Sequence, residues 1–288
     1  MRPWPFAKRL ALRSVKELLD DLGPHLAASI AYRTLFSLVP LAIVLTVVAS
    51  AVLSVTGQEA DVVDTMVRNV PLDAEGKATL RDVLEGATSD APAVGFVGLV
   101  GLLALVWGAS GMMGAIRTGL NAAWDVEDAR PFVRGKLVDL TLVFGTAALV
   151  LLSFVVSITV RVTERHVPEA SGTTGALLGV VPPLVLAFVA VVFLYRVVPA
   201  TGPELRDVWP AALLVAIAFV AMQSLLGIYF QNFASYNAIY GSLGAVFGFL
   251  VFVYAASLVF LLGAEAAAEW PRVRAELAAP ARQPRGPH

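Results

Sequence analysis

Six stretches of the chain hold apolar side chains on every face for about twenty residues, the length a helix needs to cross the hydrocarbon of a bilayer. They cover 34–55, 93–113, 137–160, 175–198, 208–230 and 240–264. A helix satisfies its own backbone hydrogen bonds, so the pattern predicts an all-α polytopic membrane protein with six transmembrane helices. Pro182 and Pro183 in the fourth run remove two amide donors and predict a kink near its outer end. Gly95, Gly98, Gly101, Gly108, Gly111 and Gly114 recur along the second run, and Gly244 and Gly248 form a small-xxx-small pair in the sixth. Such spacing predicts close helix packing, within one chain or between copies in a homo-oligomer.

Between these runs the pattern becomes amphipathic. Leu12, Val15, Leu18, Leu19 and Leu22 recur at helical spacing, with Arg9, Arg13 and Lys16 on another face. This predicts an N-terminal interfacial helix on the anionic inner leaflet, serving as an ordinary topology anchor, with lipid sensing as the alternative. In the outer loop 56–92, Val62, Val63, Met66, Val67 and Val70 form one stripe, and Leu80, Val83, Leu84 and Ala87 repeat it after Pro71. Two short helices outside the membrane follow. They cap the bundle or present Val63, Met66 and Val67 to a partner. Beyond Trp270 the prolines and scattered arginines predict a disordered tail. The expected organisation is a cytoplasmic, interfacial N-terminus over 1–33, a transmembrane domain over 34–270 and a disordered cytoplasmic tail over 271–288.

Composition supports the bilayer as solvent, with 58% hydrophobic residues, 15% charged residues and a mean hydropathy of +0.76. A net charge of −1 carries no nucleic-acid signal, so the distribution of charge matters more than its sum. Of the 21 Lys and Arg, the outer segments hold only Arg68, Lys77, Arg81, Arg161 and Arg165. The positive-inside rule then predicts that both termini lie in the cytoplasm. No small-residue cleavage pattern follows the first run, which predicts a retained span rather than a signal peptide. The chain has no cysteine, which excludes disulfides and thiolate chemistry.

Enzyme signatures are missing from the sequence. His25, His166 and His288 are far apart, and no H-E-x-x-H, G-x-S-x-G or P-loop pattern occurs, so the reading is a non-enzyme with no catalytic residue, metal or cofactor. Ionisable groups at the ends of spans are better candidates, because an unpaired charge within the bilayer is costly. Arg33 precedes the first apolar run and Glu265 ends the last, at similar depth. The two are candidates for an intramembrane pair, with snorkelling of each to the interface as the alternative. Arg117, Arg130 and Arg134 surround the inner loop between the second and third runs, where guanidinium groups could hold a lipid phosphate or simply set topology. Asn232, Tyr236, Asn237, Tyr240 and Ser242 lie in an uncharged stretch between the last two runs. It would be either a segment dipping into the bundle, and so an exit site, or a tight outer turn.

Several of these pieces occur together in a known order. Ala31-Tyr32-Arg33-Thr34-Leu35-Phe36-Ser37-Leu38-Val39-Pro40, Asn121 with Arg130-Pro131-Phe132, the stretch from Tyr236 to Leu243, and Leu262-Gly263-Ala264-Glu265 resemble the YihY/BrkB family of bacterial inner-membrane proteins, formerly labelled ribonuclease BN-like. The resemblance covers about 18–269. It implies an inner-membrane protein of envelope biogenesis, with membrane lipids and an envelope-spanning lipid-transfer protein as expected partners and no nucleic acid. It brings no catalytic residue. The leading expectation is movement or handover of phospholipid or a related amphiphile, with Arg33, Arg117, Arg130 and Arg134 as headgroup residues. The alternative is a structural or docking component without translocation activity, while the nuclease label finds no support in these residues. No internal repeat is visible, so the sequence offers no inverted-repeat transporter argument.

Overall fold

The computed structural model describes residues 3–54, 77–78, 81–82, 91–126, 133, 135–145, 173–233 and 237–278. Over these residues the chain is helical, with no strand. Helix α1 spans Pro3–Asp20, α2 Gly23–Ser54, α3 Ala91–Ala123, α4 residues 135–145, α5 Thr173–Val197, α6 Leu205–Phe233 and α7 Asn237–Ala278. Within the described residues, Leu99–Ala123, Leu205–Gln223 and Val246–Ala278 are long and apolar enough to cross a membrane. This is an all-α polytopic membrane protein.

Helix α1 is amphipathic, as its periodicity predicts, and it is docked. Ser14 and Leu18 are buried, with the Ser14 hydroxyl donating to the Leu10 carbonyl at 2.9 Å. Leu12, Val15, Leu19 and Leu22 remain exposed and form an apolar stripe beside the docked face, of the kind that suits a lipid surface. Leu22 ends the helix in the left-handed region, with φ at 56°, and its carbonyl accepts from the His25 and Leu26 amides that begin α2. A bulky side chain is seldom held there, so the turn is fixed by its surroundings. Only Asp21 and Leu22 separate the two helices.

Helix α7 is the centre of the arrangement, packing against α1, α2, α3 and α6, while α2 lies along α3 and α5 along α6. Tyr195 of α5 is fully buried, stacks between Trp124 and Phe260, and donates its hydroxyl to the Phe260 carbonyl. Gly263 faces it so closely that a β-carbon there would lie 2.1 Å from Val215 Cγ2 and 2.6 Å from the Tyr195 hydroxyl. The close packing read from the glycines of the second run is present at Gly108, whose missing β-carbon would touch Ser37 at 3.4 Å.

Two expected boundaries are corrected. Helix α2 starts at Gly23, eleven residues before the apolar run, because Ala27, Ile30 and Ala31 are buried before the first span begins. Helix α7 continues through Pro271 to Ala278, where a disordered tail was expected from residue 271. Its final turns have both an apolar anchor and ionic partners: Val273 is fully buried, Trp270 packs edge-on against Phe6, and Glu276 accepts from Arg13. The loop 56–92, including Val63, Met66 and Val67, lies outside the described residues apart from helical positions 77–78, 81–82 and 91–92.

Candidate functional site

Three helices bring polar side chains to one cleft of about 540 Å³. Helix α2 contributes Ser29 and Arg33, α3 contributes Ser110, Gly111, Gly114 and Arg117, and α4 contributes Lys136 and Asp139. The spacings of four within α2, of four and seven from Ser110 within α3, and of three within α4 put each set on one helical face. The cleft is therefore lined by coherent stripes rather than chance neighbours.

Its charges are unbalanced. Arg117 Nε lies 2.9 Å from Asp139 Oδ1, with both side chains largely buried. Arg33 is exposed and has no carboxylate partner among the described residues. Lys136 Nζ sits 4.7 Å above the Trp107 ring, a cation–π contact that holds the ammonium without neutralising it. Among the described residues, three cations thus line the cleft with one carboxylate. Glycines create the space for these groups: an added β-carbon would lie 2.9 Å from Arg33 Nη1 at Gly111, 3.3 Å from Asp139 Oδ2 at Gly114 and 3.4 Å from Arg117 Nη2 at Gly135. Such a cleft can accept the oxygens of a phosphate through guanidinium hydrogen bonds. Exposed Tyr32, Phe36 and Trp107 on α2 and α3 add apolar surface to the same two helices.

The arginines expected at a headgroup site divide accordingly. Arg33 and Arg117 come together in the cleft, and Arg130 and Arg134 lie outside the described residues. Asp139 was missed, although a carboxylate inside the run 137–160 was itself a signal, since ionisable groups at that depth are rarely incidental.

The expected Arg33–Glu265 pair is not formed. Arg33 turns into the cleft against Gly111, whereas buried Glu265 lies near Asp21, Glu17, Asp125 and Glu269. Arginines gather around Glu269 instead: Arg13 Nη1 is 3.4 Å and Arg272 Nη1 2.5 Å from its carboxylate. Arg272 Nη2 also reaches Asp125 at 2.7 Å. Asp125 is available because α3 ends there in a left-handed turn, with φ at 52° and the Val126 amide bonded to the Asn121 carbonyl at 2.8 Å. Next to this cluster, burial first and then the negative charge of Asp125, Glu17 and Asp20 push the Asp21 carboxyl above its ordinary range.

The uncharged stretch before the last run is helical on both sides of residues 234–236. Asn232 belongs to α6, and Asn237, Tyr240 and Ser242 belong to α7, leaving only residues 234–236, Tyr236 among them, between the helices and outside the described residues.

A family model described as virulence factor BrkB matches residues 14–287. The chain is 30% identical to a UPF0761 membrane protein of Ralstonia nicotianae over 277 residues, covering 95% of this chain and 62% of the relative. It is 31% identical to the ribonuclease-like protein YfkH of Bacillus subtilis over 172 residues, covering 57% of this chain and 62% of the relative. With a UPF0761 membrane protein of Xanthomonas campestris it shares 32% identity over 267 residues, covering 90% of this chain and 60% of the relative. The chain thus spans about three fifths of the length of the curated relatives it matches. No solved structure matches. Among the described residues, no group of three or more His, Asp or Glu is arranged to hold a metal ion.

Proposed function

The chain belongs to the BrkB family of membrane proteins, and from that premise we propose that it is a non-enzymatic inner-membrane component that moves or hands over phospholipid or a related amphiphile for envelope biogenesis. The observation that supports this reading is the cleft in which Arg33, Arg117 and Lys136 face Asp139. Its excess positive charge suits a phosphate headgroup, and the apolar surface carried by α2 and α3 suits the chains attached to it. A soluble anion would have no use for the second feature. Under the positive-inside rule, with both termini cytoplasmic, the cleft would meet the inner leaflet and load the amphiphile there. An envelope-spanning lipid-transfer protein would then receive it.

The experiment is transbilayer movement of headgroup-labelled phospholipid in liposomes containing the purified chain, beside an Arg33→Ala, Lys136→Ala variant and empty liposomes. Arg117 stays intact because removing it would leave buried Asp139 unpaired. Movement above the empty liposomes that falls to baseline in the variant supports the reading. Baseline movement with the wild type, or equal movement with the variant, overturns unaided translocation through this cleft.

A further inference from the structure

A second cavity, of about 790 Å³, runs between α1, α6 and α7, away from the polar cleft. Leu10 and Val15 of α1, Leu214 and Ala218 of α6, and Val259 and Ala266 of α7 form its walls. Val15 is 46% and Leu214 66% exposed, so the groove opens beside the exposed apolar stripe of α1. The edge-on pair of Phe6 and Trp270, 4.8 Å between ring centroids, stands where α1 meets α7. Arg274 is the one charged residue among the groove's lining.

The arginines around this junction have different employment. Arg13 is engaged by Glu269 and Glu276, and Arg272 by Glu269 and Asp125. Arg274 lines the groove, is exposed, and has no ion-pair partner among the described residues. A groove without polar walls cannot hold water favourably, and an unpaired guanidinium at its rim calls for an anion.

We propose that this groove holds an acyl chain of an anionic phospholipid, with its phosphate at Arg274. The occupant must join a long apolar chain to a negative headgroup, and an anionic phospholipid of the surrounding leaflet does so. Lipid here bridges α1 to α6 and α7, and its binding stands apart from any translocation through the polar cleft.

The test uses the full chain purified in detergent, with native mass spectrometry of retained phosphatidylglycerol against phosphatidylcholine of identical chains. One guanidinium predicts a preference of roughly fivefold for the anionic lipid. Arg274→Ala should bring the ratio to about one while leaving chain binding, and Ala11→Trp, on an exposed groove wall, should reduce retention of both lipids. A phosphatidylglycerol carrying a photoreactive acyl chain should label peptides around Val15, Leu214 and Val259 in the wild type, a readout that needs no variant to fold. A wild type that retains neither lipid, retains both equally, or is labelled outside the groove overturns the proposal. Closure by residues 279–288 or by a second copy would give the first of these. Neither readout involves lipid crossing a bilayer, so failure here and failure of the proposed translocation are separable.

Discussion

Glu265 and Glu269 stand one turn apart on the same buried face of α7, and among the described residues only Glu269 has cationic partners. Arg13 reaches Glu269 from the first helix and Arg272 from the next turn of the last. Glu265 instead faces the carboxylates of the α1–α2 turn and the end of α3. A single helix face thus changes from a neutralised joint to a concentration of negative charge within four residues.

Replacing the neutralised member should loosen α1. Glu269→Ala leaves Arg13 with Glu276 and Arg272 with Asp125, both partly exposed pairs, so the cost is about 1–3 kcal/mol rather than the larger loss of a fully buried pair. Faster hydrogen exchange across Pro3–Asp20, with α5 and α6 unchanged, is the expected result. Uniformly faster exchange would argue against a local joint.

At the cleft, Arg117→Met should destabilise the protein by about 3–5 kcal/mol, because buried Asp139 then keeps its charge without its guanidinium. Asp139→Leu in the same chain should recover at least half of that loss. Thermal unfolding in detergent of both single variants and the double variant measures the coupling. Additive effects would mean that the contact contributes little.

Gly263→Ala tests the packing around Tyr195. The added carbon would lie 2.1 Å from Val215 Cγ2, so α7 must shift against α5 and α6 at a cost of about 1–3 kcal/mol. Val215→Ala should relieve part of the loss when combined with it. A Gly263→Ala protein as stable as wild type would contradict the close approach.

The Asp21 carboxyl gives a pH dependence of defined sign. Its folded-state pKa is raised above the ordinary 3.8, so folding favours the protonated form and the charged form is penalised. The penalty is absent below the unfolded-state pKa, grows as pH rises toward the folded-state value, and is complete above it. Asp21→Asn should therefore raise the unfolding midpoint at neutral pH, with the difference disappearing below about pH 4. A difference that persists in acid would assign the gain to something other than charge.

The helices were legible because runs of apolar residues long enough to cross a bilayer mark them, and α2 to α7 each overlap one such run, the third described only to residue 145. Their ends were less legible. Val273 and Glu276 look like tail residues until Arg13 and the α1 face are seen to receive them, contacts made across the length of the chain. Arg33 and Glu265 were candidates for a pair because they lie at similar depth, and they do not pair, since sequence gives depth along a helix and not the direction a residue faces. The glycine stripe of α3 was read as helix packing, yet Gly111 and Gly114 also make room for Arg33 and Asp139. A glycine reveals that something approaches closely, not what it is.

The clasp between Arg13 and Glu269 joins residues 256 positions apart. During synthesis α1 emerges before its partners on α7, so it must wait on the membrane surface while the intervening helices insert. Its exposed leucines give it a resting place there. A chain stopped before Glu269 would have all six apolar runs but would lack this fastening between α1 and α7. Closure of this bundle therefore waits on the synthesis of α7, whatever else of it has already inserted.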